Sequence, residues 1–196
     1  MYNDTKIRIL EQIYLCSGIH KRKIAKRLKL SMPSIDNGLK KLGKIIKNKP
    51  SGNQITYFLD YSNEALTPAL YNVEYFRFER LPPKIKLSIN EFIKELKEKP
   101  VIILIFGSYS NNSYNKESDI DILLVFQKVK DNKEIENLAK IVSMKTNTKI
   151  SPIYLNYSDF KESFHNPRKE FFKNIKENKI IIQGIELWRQ LKDEEA

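Results

Sequence analysis

The chain has 196 residues, with 35 Lys and Arg against 24 Asp and Glu, a formal charge of +11, and is 41% hydrophobic and 30% charged. That length supports one large domain or two small ones with apolar cores of their own, and the composition excludes disorder and a collagen-like repeat. The longest apolar run, Val101 to Phe106, falls far short of the roughly 20 residues a membrane helix needs, and one cysteine with two histidines excludes a disulfide scaffold and a structural zinc site.

No apolar stretch follows a basic lead at the start, and the single cysteine, Cys16, cannot close an internal disulfide, so a reducing cytosol is the expected setting. The positive charge is uneven. Residues 1–60 hold 13 Lys and Arg against 4 Asp and Glu, a net of +9, whereas the rest of the chain holds 22 against 20. Two modules are expected, the first facing a polyanion.

In the first module Asp4 or Thr5 caps a helix carrying Ile7, Leu10, Ile13 and Tyr14 at helical spacing, and Ser17-Gly18 ends it. Cys16 lies on its apolar face, where a buried structural cysteine is expected. A basic helix follows from His20 to Leu28. Ser31 is an N-cap for a third helix with Pro33 in its first turn and Ile35, Leu39 and Leu42 as its buried stripe; Gly43 stops it. Gly38 inside that helix implies a close backbone approach, to DNA or to the second helix. Lys44–Lys47, the turn residues Pro50-Ser51-Gly52-Asn53 and Ile55–Leu59 read as a hairpin.

Three short helices and a basic hairpin resemble the winged helix-turn-helix family. The resemblance implies that the third helix enters the major groove, with Ser34, Asn37, Lys40 and Lys41 facing DNA. Lys21, Arg22, Lys44, Lys47 and Lys49 would neutralise phosphates. The same fold used only for dimerisation or protein contact is the alternative, and the concentrated charge favours DNA.

Residues 61–84 read as a helical connector. A helix from Asn63 to Glu79 carries Tyr71, Tyr75, Phe76 and Phe78, a stripe suited to packing between modules or to a homodimer contact. Beyond Leu81-Pro82-Pro83, Ser88 and Glu91 form a capping box for a helix to Glu98 with Ile89, Phe92, Ile93 and Leu96 inward.

Val101 to Phe106 reads as a strand covered on both faces, ending at Gly107-Ser108 before a short helix from Tyr109 to Asn112. A second strand opens with Ser118-Asp119-Ile120-Asp121. Two carboxylates two residues apart on a strand share a face. Glycine lets a backbone approach a phosphate, a helix start offers amides to it, and paired carboxylates suit Mg²⁺ that shares its ligands with phosphates. One short segment therefore supplies a phosphate cradle and a metal clamp.

The pattern G-S-(x)9-S-D-I-D at 107–121 resembles the DNA polymerase β-like nucleotidyltransferase superfamily, in its minimal branch, over residues 85–190. The resemblance implies an α/β domain over 85–196 with a mixed sheet flanked by helices. It implies Mg²⁺ as cofactor and transfer of a nucleoside monophosphate from an NTP to an acceptor hydroxyl. Gly107 and Ser108 would hold the triphosphate, Ser118 the turn, and Asp119 and Asp121 the metal and the catalysis. Two departures stand out. Asn112 occupies a place that is usually glycine, a mild change because asparagine tolerates the left-handed conformation. The strand Lys149–Leu155, after a helix from Lys133 to Met144, lacks the third carboxylate of active members and has Ser151 or Pro152 there. Asp159 lies just beyond and is read as a cap of the next helix, with a substitute for that carboxylate as the alternative. The chain is thus read as a DNA-binding protein that binds Mg-NTP. Three roles stay open: an enzyme, a regulator that senses nucleotide, and a toxin–antitoxin component. The remainder reads as helix from Phe160 to Asn178 with a break at Asn166-Pro167, a strand at 179–184 and a last helix from Ile185.

Overall fold

The computed structural model describes residues 5–129, 132–166 and 168–195. They form two compact units, one built from residues up to Val73 with Lys192–Glu194, the other from Glu74–Leu191 with Glu195. Asp4 and Pro167 lie outside the described residues. No helix among these residues is long and apolar enough to cross a membrane.

The first unit runs α1 (Thr5–Leu15), β1 (Ile19–His20), α2 (Lys21–Leu28), α3 (Met32–Leu42), a 3₁₀ turn (Gly43–Ile45), β2 (Ile46–Ser51), β3 (Gln54–Leu59) and the start of α4 (Leu66–Glu79). The Ser34 amide donates to the Ser31 hydroxyl at the N-cap of α3, and Ile35, Leu39 and Leu42 are buried. At α2 the cap is an imidazole, because the Lys23 amide donates to Nδ1 of His20.

Three details depart from expectation. A two-residue strand, β1, pairs antiparallel with β3 and makes the sheet three-stranded in the order β1-β3-β2. The hairpin turn is only Gly52-Asn53, because Pro50 and Ser51 continue β2 opposite Ile55 and Gln54. Proline is tolerated there because β2 is an edge strand, and Gly52 supplies the positive φ (56°) that a two-residue turn requires. Cys16 follows α1 rather than lying on its buried face. It is half-buried, and Nη1 of Arg27 reaches its Sγ at 2.9 Å.

Gly38 is the contact point of α1 and α3. A Cβ there would lie 2.2 Å from Cδ1 of fully buried Ile9, so the close approach is to the first helix, not the second. Gly38→Ala is expected to lower stability in urea denaturation by about 1–3 kcal/mol through overpacking, despite gaining about 1 kcal/mol of helix propensity. Ile9→Val removes the clashing methyl and is expected to recover most of the loss in the double variant.

The second unit continues from α4 through α5 (Pro83–Glu95), β4 (Ile102–Phe106), α6 (Ser108–Asn111), β5 (Ile120–Phe126), α7 (Asn132–Thr146), β6 (Ile150–Asn156), α8 (Tyr157–His165), α9 (Glu170–Glu177), β7 (Ile180–Gln183) and α10 (Ile185–Asp193). Helix α5 opens at Pro83, one turn and more before the expected capping box. Proline is preorganised for a helix start, which leaves Ser88 buried in mid-helix with its hydroxyl donating to the Lys84 carbonyl.

The sheet order is β6-β5-β4-β7, with β5 and β6 parallel and the other pairs antiparallel, a mixed sheet. Ile120, Ile122 and Leu124 of β5 and Ile103 and Ile105 of β4 pack on Ile89 and Phe92 of α5 and on Ala139 and Val142 of α7. The alternate residues Asp121, Leu123 and Val125 face the opposite side. There Phe106, directly across from Asp121, meets Phe171 edge-on. Aliphatic residues on both faces explain the near-continuous apolar reading of β4 and β5. Asp121 is the exception.

Candidate functional site

The site begins where β4 runs out. After Phe106 the chain turns at Gly107, with φ 66° and ψ −149°, into α6. The Phe106–Asp121 register brings the carboxylate of Asp121 against this corner so closely that a Cβ on residue 107 would lie 2.1 Å from Oδ2. Both the positive φ and this contact demand glycine.

Asp119 lies one residue before β5. Its Oδ2 accepts from Nζ of Lys149 at 2.5 Å and from the Ser151 hydroxyl at 3.2 Å. Ser151 is in register with Asp121, so the serine that reaches Asp119 places both carboxylates on one side of the sheet. The Asp121 carboxyl is held above its ordinary value, first by burial and then by the charge of Asp119, with Lys149 pulling the other way.

The corner is braced from within. The Ser110 hydroxyl donates to the Gly107 carbonyl at 2.7 Å, while buried Arg77 donates to the carbonyls of Ser110 and Lys179 and pairs with Glu74 at 3.1 Å. Asn112 takes the left-handed conformation (φ 62°), and its amide donates to the Ser108 carbonyl, as its residue type allows. The Ser118 hydroxyl accepts from the Asn115 amide at 2.9 Å and so ties the loop ahead of Asp119. Tyr109 and Tyr114 stack with ring centres 4.6 Å apart. The Tyr109 hydroxyl is pushed up by burial, then by Tyr114 and Asp119. Beside them a cavity of about 680 Å³ opens, lined by Tyr109, Tyr114, Lys84, Asp119 and Lys149 among others.

Among the described residues no third carboxylate joins the pair. Ser151 stands opposite Asp121 and Pro152 opposite Ile122. Asp159 lies in the first turn of α8, beyond the other end of β6, where it accepts from the side chains of Asn156 and Ser158. The rest of β6 beyond Ser151, residues 152–156 and roughly 17 Å of extended chain, separates it from that serine. Among the described residues no group of three or more His, Cys, Asp or Glu is placed to hold a metal ion.

In the first unit, Asn37, Lys40 and Lys41 are exposed on α3, on the side away from its buried stripe, and Ser34 is half-buried with its hydroxyl 2.9 Å from that of Ser31. Arg22, Lys44 and Lys49 are exposed, with Lys49 also 5.6 Å from the centre of the Phe58 ring. Lys21 and Lys47 are engaged within the chain, with Asp36 at 3.0 Å and Asp60 at 2.7 Å. Burial acts to raise the Asp60 carboxyl, but hydrogen bonds from Lys47 and Ser62 and the Lys47 charge outweigh it and hold the group below its usual range.

Sequence reasoning missed Lys149 and Arg77. Lys149 directly precedes the strand paired with the acidic one, and that register is its only signal. Arg77 has none, since its carbonyl partner Lys179 is 102 residues away.

A carboxyl whose value is raised on folding adds stability below its unfolded value and loses it as pH rises through the folded one. Asp121→Asn is therefore expected to raise the thermal midpoint at pH 7, by about 2–4 °C per kcal/mol recovered, with the gain vanishing below the ordinary value of 3.8. Melting curves of both proteins across pH 3–8 test this.

Residues 88–182, from within α5 through most of β7, match the family described as nucleotidyltransferase domain. A relative from Methanocaldococcus jannaschii named as a protein adenylyltransferase is 38% identical over 72 aligned residues, covering 33% of this chain and 73% of the relative. A crystal structure of a toxin–antitoxin with AMP-PNP superposes with a TM-score of 0.43 at 17% identity, covering 58% of this chain and 83% of its own.

Proposed function

The chain belongs to the nucleotidyltransferase-domain family, and from that premise we propose that its second unit binds an NTP with Mg²⁺ and transfers the nucleoside monophosphate to an acceptor hydroxyl, while its first unit binds DNA. The observation that carries this reading is the contact of Gly107 with Asp121, which leaves no side chain between the phosphate corner and the acidic pair.

The donor set fits Mg²⁺. Asp119 and Asp121 offer hard oxygen ligands from one side of the sheet, close enough for one charge to disturb the other, and two carboxylates leave the remaining positions to phosphate and water. When bound there, Mg²⁺ supplies positive charge that lowers the pKa of the acceptor hydroxyl and steadies the departing pyrophosphate. Gly107 and Ser108 bring backbone against the triphosphate, and the Arg77 and Ser110 bonds keep that corner rigid. The acceptor oxygen attacks the α-phosphorus in line, the bond to pyrophosphate breaks with its electron pair leaving on the pyrophosphate, and the hydroxyl proton passes to solvent water. The relative named as a protein adenylyltransferase supports an adenylyl group as the one transferred and a protein as its acceptor.

A second reading, a regulator that senses nucleotide without transferring it, is favoured by Ser151 standing opposite Asp121. Incubation with α-labelled NTPs, Mg²⁺ and cell extract separates the two. Label transfer that falls at least a hundredfold in Asp119→Ala/Asp121→Ala supports the enzyme. Binding without transfer supports the sensor, and the absence of both contradicts each.

For the first unit, the order of three helices and a basic hairpin supports a winged helix with α3 as its groove-facing element. Asn37, Lys40 and Lys41 are the residues for base and backbone contact, helped by Ser34 at the start of α3, and Arg22, Lys44 and Lys49 neutralise phosphates. Lys21 and Lys47 contribute less because Asp36 and Asp60 already balance them. DNA affinity is expected to fall with salt, with a log–log slope of about −0.9 per phosphate contact, and Lys40→Ala/Lys41→Ala to reduce that slope by about 2. Binding insensitive to salt would contradict the reading.

A further inference from the structure

Lys149 is paired with one of the two carboxylates of the acidic pair. Its Nζ lies 2.5 Å from Oδ2 of Asp119, whose carboxylate shares its side of the sheet with Asp121. The backbone of this residue is fixed, because its carbonyl accepts from the Ile120 amide at 2.8 Å at the start of the β5–β6 ladder. Its side chain is not, being 70% exposed against 32% for Asp119. An ion pair with one end in solvent is weak and readily exchanged. The cavity of about 680 Å³ that both residues line gives the four-carbon stem room to swing. Ser151 donates to the same Oδ2 and keeps the carboxylate oriented when the ammonium departs.

We propose that Lys149 is the site's resident counter-cation: its ammonium holds the place at Asp119 that the metal takes, and moves to the triphosphate when nucleotide binds. This rests on the Mg-NTP reading above. Lys149 thereby keeps the acidic pair balanced in the free protein, suppresses binding of bare metal, and returns as a phosphate ligand for the loaded nucleotide. The pair favours metal arriving with nucleotide over metal alone.

The test is Mn²⁺ binding to the full chain, followed by electron paramagnetic resonance without nucleotide and with a non-hydrolysable ATP analogue. Lys149→Met is expected to bind Mn²⁺ alone about threefold to tenfold more tightly than the parent, the range set by loss of an exposed ion pair and of a like charge. The same variant is expected to bind the analogue with Mg²⁺ about tenfold more weakly, the scale of one charge-assisted phosphate contact. Opposite signs for the two ligands are the signature, since a merely structural lysine would weaken both or neither. Unchanged or weaker Mn²⁺ binding in Lys149→Met overturns the proposal. Asp119→Ala/Asp121→Ala distinguishes the levels. If it abolishes Mn²⁺ binding while Lys149→Met leaves it unchanged, only the role of Lys149 falls; if it too leaves binding unchanged, the metal reading falls with it.

Discussion

Residue 107 has no side chain, and the carboxylate of Asp121 fills the space where one would be. The rest of the second unit is arranged around that contact. It needs β4 and β5 paired so that Phe106 faces Asp121, and that register is held because both strands bury aliphatic residues on two faces. A slip of one residue would turn Asp121 into the core beside α5 and α7 and bring Ile122 to the corner. It also needs the turn into α6 to stay open-backed, which Arg77 secures through the carbonyls of Ser110 and Lys179.

The electrostatics follow from the same geometry. Two carboxylates on adjacent same-face positions repel each other, and one of them is partly buried, so the arrangement costs stability at neutral pH. Sites built for a ligand commonly carry such a cost, because the ligand completes what the free protein leaves unbalanced. Here Lys149 and Ser151 converge on one oxygen of Asp119 and supply part of that balance from within the chain. The first unit shows another division of charge. Asp36 and Asp60 neutralise two of its lysines, while the exposed face of α3 and the outer hairpin keep theirs.

The parts legible in the sequence were those set by short spacings. Ser31 followed by Pro33 marked the start of α3, and the stripe Ile35, Leu39 and Leu42 is buried as its period required. The glycine-serine corner and the acidic pair lie within fifteen residues, so their association needed only one antiparallel strand pairing. Pro152 marked an edge strand correctly, since β6 ends the sheet order β6-β5-β4-β7 among the described residues. What escaped depended on longer range or on competing signals. Ser88-x-x-Glu91 has the form of a capping box, but Pro83 starts α5 earlier and turns Ser88 inward. The two residues of β1 are too few to show a period. Arg77 reads as an ordinary charged helix residue until β7 is brought back beside α6, and Lys149 gains meaning only through the parallel pairing of β5 with β6.

The most direct measurement is a crystal structure of the full chain with Mg²⁺ and a non-hydrolysable NTP. The expected density has the triphosphate lying on the backbone of Gly107 and Ser108, with metal between it and the oxygens of Asp119 and Asp121. Nucleotide bound elsewhere on the second unit, with that corner empty, would contradict the central claim.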